Sequence, residues 1–307
     1  MMKEPIGILP LWKPRGMTSF DAVKEVKKIY HTKRVGHTGT LDPDVDGVLP
    51  ICLGRATKLV EYLTADKKTY EGEVTLGFST TTEDASGEVV AEKKVDEKIR
   101  EEDVRELFNH LIGEITQTPP MYSAIKVKGK RLYEYAREGK IIDRPSRKVS
   151  IYHIELVSPV EKTIDKNVKF RFRVTCSKGT YIRTLSVMIG EKFGYPAHMS
   201  SLTRTASGQF KKEDCIELHK LRALQEKNEQ NDVLMPIELA LRHYPKITLP
   251  QELEQKVMNG ALLPDTLINV DEPLIAMYNQ QGECLALYEL HPKRSGMLKP
   301  AKMLKSV

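Results

Sequence analysis

Three glycines, three aspartates and a proline fall within the thirteen residues Val35–Gly47 (VGHTGTLDPDVDG). Glycine opens backbone conformations closed to other residues, and Asp and Pro both favour turns, so neither a helix nor a regular strand continues through this stretch. It follows an amphipathic helix and runs straight into an apolar segment and helix, VLPICLGRATKLVEYL. Any fold of this chain must therefore hold an acid-rich loop between buried elements. Asp42-x-Asp44-x-Asp46-Gly47 matches the opening of a calcium loop, but the twelfth position, which needs a bidentate Glu, is Leu53. Pro43 and the apolar run that follows also disfavour an ion cage. A magnesium site would want further carboxylates on separate strands. A purely structural turn and a catalytic carboxylate remain as readings of the local pattern.

Elements on both sides can be placed by periodicity. Ile6–Trp12 reads as a short apolar strand closed by Lys13-Pro14-Arg15-Gly16. Thr18 and Ser19 offer N-caps, with Asp21 at the capping-box distance from Thr18, and Phe20, Val23, Val26 and Tyr30 follow at helical spacing. Strands are predicted over Lys68–Leu76, Val89–Ala91, 149–157 and 168–176, and a helix over Glu101–Ile112. KGTYIRTLSVMIGEKFG turns a strand end into a helix stopped by Gly194, and SLTRTASGQF makes a turn and a short strand. Lys212–Asn231 reads as polar helix. A boundary is expected near residues 243–248, followed by a helix over Gln251–Met258 and β segments at Leu274–Tyr278 and Cys284–Tyr288. The expected architecture is α+β.

At 307 residues, the chain suits one large unit and one small one. No run of about 18 apolar residues exists to span a membrane, and the first residues lack the apolar core of a signal peptide. Cys52, Cys176, Cys215 and Cys284 lie far apart with no CxxC pair, which argues for reduced thiols in the cytoplasm rather than zinc or disulfides. The formal charge of +6 is localised. Lys126–Lys148 holds nine Lys/Arg against three acids, and the other 39 basic and 39 acidic residues cancel. A basic stretch on a neutral body suits a polyanion, and Tyr122, Tyr133 and Tyr135 interleaved with it suit unpaired bases.

GHTGTLDPDVDGVLP resembles the active-site motif of the TruB family of pseudouridine synthases, which modify the TΨC loop of tRNA. The resemblance continues in the family's order through WKPRGMTS, GRATKLVEYL, DKKTYEGEVTLG, TTTEDASG, QTPPMYSAIKVKGKRLYEYAREG, CSKGTYIRTL and LTRTASGQF, covering residues 6–210. Asp46 is a departure, because members more often carry a small or neutral residue there. A guide-RNA-dependent branch shares the GHxGTLDPxxxGxL core but usually has a longer tail. A catalytically silent tRNA-binding protein is the alternative of another class, opposed by intact Asp42, Tyr70 and Arg183.

The resemblance implies a mixed, largely antiparallel central sheet flanked by helices (residues 1–243), with a basic RNA-clamping insertion at about 118–148. It implies a small, mostly-β, PUA-like RNA-binding unit over 247–307, whose loss should cost tRNA affinity while leaving the enzyme folded. Asp42 matches the catalytic carboxylate, Arg183 its fixed partner, and Tyr70 the tyrosine lying against the target base. Tyr181 and Leu202 match pocket-lining residues, His37 a contact to the rearranged RNA loop, and Lys126 the start of the clamp. Asp84 matches a structural or RNA-positioning acid. Isomerising uridine 55 needs no redox step or group donor, so no cofactor and no metal are expected. The implied partner is tRNA alone, bound by a cytoplasmic monomer with no obligatory protein partner.

Overall fold

The computed structural model describes residues 4–95, 98–267 and 272–305. Its largest sheet runs in the order Ile216–Glu217, Gly7–Lys13, Asp46–Leu53, Ala197–Ser207, Lys68–Leu76, Val168–Cys176, Arg147–Leu156, Gly113–Gln117. Pairing along this path is antiparallel except at the first step and between Asp46–Leu53 and Ala197–Ser207. The expected mixed, largely antiparallel sheet is present.

Period-two alternation decides what each face buries. Leu9, Leu11, Leu49, Ile51, Val74, Leu76, Phe170, Phe172 and Val174 face one apolar cluster. Helices Ser19–Ile29, Glu101–Leu111 and Ile182–Phe193 cover it with Val23 and Val26, Val104 and Phe108, and Leu185 and Ile189. On Arg147–Leu156, a bulge between Ile151 and His153 restores the inward face at Ile154 and Leu156. On the opposite face, Arg173 pairs with Glu71 at 2.7 Å and Glu155 at 2.9 Å across three strands.

The first helix is capped as expected, with the Thr18 hydroxyl accepting from the Asp21 amide at 3.0 Å. Its buried stripe is Ala22, Val23, Val26 and Ile29, while Phe20 is 62% exposed beneath the Lys24 ammonium. Phe20 stands in the first turn, outside that buried stripe, so its ring is open to water. The turn expected within SLTRTASGQF is at Gly208 and leads into the short strand Phe210–Lys211, while the residues before it end an eleven-residue strand, Ala197–Ser207. The polar Lys212–Asn231 segment is broken into a 3-10 turn, a two-residue strand and the helix Leu218–Glu226.

The C-terminal part forms a five-stranded sheet, ordered Lys246–Thr248, Ile275–Tyr278, Cys284–Leu290, Met297–Met303, Leu263–Pro264, with helix Gln251–Met258 against it. This small, mostly-β unit has a core of its own, including Leu249, Val257, Leu285, Tyr288 and Leu298. A second apolar cluster joins it to the body. Ile8, Val48 and Cys52, on the back of the large sheet, share that cluster with Ala276, Tyr278, Cys284, Leu287 and Leu304. Ile8–Trp12 and Val48–Leu53 read as unbroken apolar runs because both of their faces are covered.

The tail therefore covers part of the body's core. Deleting residues from 247 onward should lower the melting temperature by about 10 °C or more, since several buried side chains at about 2–5 kcal/mol each lose their packing. A truncated protein melting with the full chain would show that the seam contributes nothing.

Candidate active site

Asp42 lies in the loop joining the short strand Val35–His37 to Asp46–Leu53, which pair antiparallel. Almost every residue around it is tied down. The Ser19 hydroxyl accepts from the Leu41 amide at 2.8 Å and donates to the Leu41 carbonyl at 3.1 Å. The fully buried Lys13 ammonium donates to Met17 at 2.6 Å, Pro14 at 2.9 Å and Pro43 at 3.3 Å, all carbonyls. Gly16 adds an amide bond to the Pro43 carbonyl at 2.9 Å. Arg204 spans the loop's two ends, with Nε donating to Val48 at 2.7 Å and Nη2 to Gly39 at 3.0 Å. Gly47 is obligatory, because a Cβ there would stand 2.2 Å from the Arg204 carbonyl oxygen. The three aspartates part company: Asp46 accepts from Thr203 at 2.6 Å, whereas Asp42 turns to Arg183. Among the described residues no cluster of three or more His, Cys, Asp or Glu is gathered for a metal.

Arg183 is the second residue of helix Ile182–Phe193 and is nearly fully buried. Its Nη2 lies 3.0 Å from Asp42 Oδ2 and donates to the Tyr122 carbonyl at 2.9 Å. Nη1 donates to the Thr82 carbonyl at 3.0 Å, and Nε lies 3.8 Å from Asp84. Asp84 is itself fixed by Thr82 at 2.6 Å and Ser86 at 2.6 Å and 3.0 Å. One guanidinium thus ties together the Asp42 loop, the Thr82–Asp84 turn and the root of the basic insertion.

Asp42 keeps 42% of its side-chain surface open. Enclosure by surrounding protein nevertheless pushes its carboxyl above the usual carboxylate range. Arg183 opposes that rise, Asp84 reinforces it and Lys13 opposes it more weakly. Open surface on one side does not conflict with desolvation from the others. Tyr70, partly buried against the main apolar cluster, stands opposite both Val174 and Arg204 in the sheet. Burial raises its phenol, Arg204 pulls it down, and the charge of Asp42 pushes it up.

Tyr181 is the residue before helix Ile182–Phe193, and the buried Gln117 side chain holds its amide at 3.0 Å and its carbonyl at 3.2 Å. The Arg147 guanidinium lies 4.9 Å from the Tyr181 ring centroid. Leu202 is buried opposite Gly72, where a Cβ would meet Leu202 at 3.3 Å and Phe172 at 3.0 Å. His37 accepts from the Gly39 amide at 3.2 Å, and burial then Arg204 lower its basicity. Lys126 is exposed and stands apart from this cluster. It opens the hairpin Lys126–Val127/Lys130–Arg131, whose turn residues Lys128 and Gly129 both take positive φ. The insertion's tyrosines are partly covered by its own cations, Lys130 over Tyr135 and Arg131 and Arg137 over Tyr133.

Lys13, Ser19, Gln117 and Arg204 do not stand out in the sequence as site residues. For Lys13 and Arg204, the available signal is a lone cation within an otherwise apolar or alternating strand.

Residues 27–182 match the model of the TruB family pseudouridylate synthase N-terminal domain, and residues 183–242 that of the tRNA pseudouridylate synthase B C-terminal domain. The chain belongs to the TruB family. Relatives include proteins named tRNA pseudouridine synthase B from Bacillus pumilus, 54% identical over 301 residues, and Bacillus cytotoxicus, 52% identical over 298 residues. Each alignment covers 97% of both chains. Among solved structures, a chain of a Cbf5–Nop10–Gar1 complex matches with a TM-score of 0.75 at 28% identity, covering 98% of this chain and 86% of that one. A chain of an H/ACA RNP bound to a substrate RNA containing 2′-deoxyuridine matches at 0.72 and 26% identity, covering 98% and 85%. The join between the two TruB models, after residue 182, falls at the start of the helix that carries Arg183 and is no structural boundary.

Lys13→Met should keep the apolar stem and strand three carbonyls without their donor. It is expected to destabilise the protein by about 3 kcal/mol, read by urea unfolding. A loss below about 0.5 kcal/mol would show that the ammonium does not hold the loop.

Proposed function

We propose that this chain, a pseudouridine synthase of tRNA, isomerises uridine 55 in the TΨC loop with Asp42 as the catalytic carboxylate. The observation that carries this reading is one pairing. A nearly fully buried arginine holds one oxygen of Asp42 at 3.0 Å while much of that carboxylate stays open. The reaction breaks the N1–C1′ bond, turns the uracil over and joins C5 to C1′. C5 loses a proton and N1 gains one, so atoms balance without a cofactor. A carboxylate at the junction of ribose and base serves that chemistry, as in glycosyl transfer. Desolvation makes Asp42 more basic than a solvated carboxylate, and Arg183 keeps it oriented and ionised.

Tyr70 lies against the base, Tyr181 and Leu202 line its pocket, and His37 contacts the rearranged loop. A uridine inside a folded RNA loop must be everted to reach Asp42. The basic hairpin from Lys126 contacts the phosphates and closes over the RNA. Residues 1–243 form the catalytic part, and the unit from 247 adds PUA-like RNA contacts. The enzyme acts as a cytoplasmic monomer without an obligatory protein partner, cofactor or metal.

Asp42→Asn should abolish turnover and leave tRNA binding within about threefold, because an amide replaces a carboxylate oxygen at constant shape. Pseudouridine formation by clean Asp42→Asn protein, mapped in an unmodified tRNA transcript, would overturn the assignment. Asp42 must be ionised, and its folded pKa is raised. Wild-type single-turnover rates should therefore fall with decreasing pH already above the range of an ordinary carboxylate. In Arg183→Met, which removes the largest opposing charge, that acid limb should move to higher pH; an unmoved limb would separate Arg183 from Asp42.

Replacing Lys126, Lys128, Lys130 and Arg131 with Ala should weaken tRNA binding and reduce the log–log salt slope by about 0.7–0.9 for each phosphate that is no longer neutralised. An unchanged slope in folded protein would make the hairpin a solvated surface with no part in binding.

A further inference from the structure

Among the described residues Arg204 is the largest fully buried side chain, 1% exposed, and no carboxylate forms an ion pair with it. A buried cation without a counter-ion is costly, and its hydrogen-bond partners must offset that cost. Its surroundings identify those partners. Nε and Nη2 tether Val48 and Gly39, the two ends of the loop that presents Asp42. Nη1 makes no tether; it lies 3.5 Å from where a Cβ on Gly39 would stand. In the neighbouring strand Tyr70 is the direct cross-strand partner of Arg204, which places the two side chains on one face of the sheet. The backbone of Arg204 also closes on Gly47, leaving no room for a side chain there.

Resting on the functional reading above, we propose that Arg204 is a positioning residue for the isomerisation. It clasps both ends of the Asp42 loop and sets a fixed positive charge beside Tyr70. The charged and titratable groups that act on Tyr70 include Arg204 from one neighbouring strand, Cys176 from the other, and Asp42 from the loop. Burial raises the phenol, and Arg204 is the largest influence lowering it. After burial, the same guanidinium is the next influence lowering the basicity of His37 and of Lys68, so its field reaches both flanks of the site. Being buried, Arg204 reaches no phosphate, and its contribution falls on the chemical step rather than on RNA affinity.

The experiment compares wild type, Arg204→Gln and Arg204→Lys across pH about 6–10, a range reaching the ordinary tyrosine pKa. It uses single-turnover pseudouridine formation at saturating enzyme, with tRNA binding and thermal melts in parallel. Arg204→Gln, which keeps one carbonyl donor and loses the charge, is expected to slow the reaction about 100-fold at neutral pH. Its pH profile should also be displaced from that of wild type, because the charge beside Tyr70 is gone. Arg204→Lys keeps the charge and loses the fork; it should be about 10-fold slower with a wild-type pH profile. Both should bind tRNA within about threefold of wild type. A folded Arg204→Gln protein with a wild-type rate overturns the proposal. So do two variants that both keep the wild-type profile while their rates fall only with their melting temperatures. Should Arg204→Gln not fold, a folded Arg204→Lys protein with the wild-type rate at every pH overturns it alone. Wild type that makes no pseudouridine would instead refute the functional reading itself.

Discussion

Three buried cations hold the Asp42 region in place, and backbone carbonyls supply most of their partners. Lys13 anchors Pro43, Arg204 anchors Gly39 and Val48, and Arg183 anchors Asp42 together with Thr82 and Tyr122. A thirteen-residue stretch with three glycines has high conformational entropy in the unfolded chain. Charge-assisted bonds to carbonyls hold it in one shape without spending carboxylates on the task. Asp42 is then left with a single arginine partner and an open side.

The geometry also explains how remote segments meet at one point. Arg183 sits on a helix that packs on the front of the sheet, Tyr70 and Arg204 on adjacent strands, and Asp42 on the loop before a third. Tyr122 belongs to the entry of the basic insertion, and its carbonyl shares Nη2 of Arg183 with Asp42. The basic insertion and Asp42 are thus linked through one guanidinium, although Lys126 lies eighty-four positions after Asp42.

The C-terminal unit serves the body on its other side. Its strands cover Ile8, Val48 and Cys52, and Val48 is also the residue whose carbonyl Arg204 holds. Packing at the seam therefore continues into the strand that follows the Asp42 loop. An RNA-binding accessory and a structural cover are compatible roles for such a unit, since its outer surface stays free for contacts.

Much of this was legible in the chain itself. The dense Gly/Asp/Pro stretch, the capped first helix, the strand 168–176 and the helix stop at Gly194 follow from local rules: turn chemistry, capping and period-two or helical spacing. Family motifs then pointed to Asp42, Tyr70 and Arg183. What the sequence could not determine is long-range by nature. Phe20 falls within the apolar spacing of the first helix, yet the way the helix docks turns it to water while Ala22 and Ile29 are buried. Lys13 and Arg204 look like ordinary surface cations until strands far apart in the chain bring backbone carbonyls around them. The shared seam with the tail depends on which residues of two runs, each apolar throughout, face which side. Local sequence determines what each segment can become; the burial of charge and the sharing of a core are properties of the assembled sheet alone.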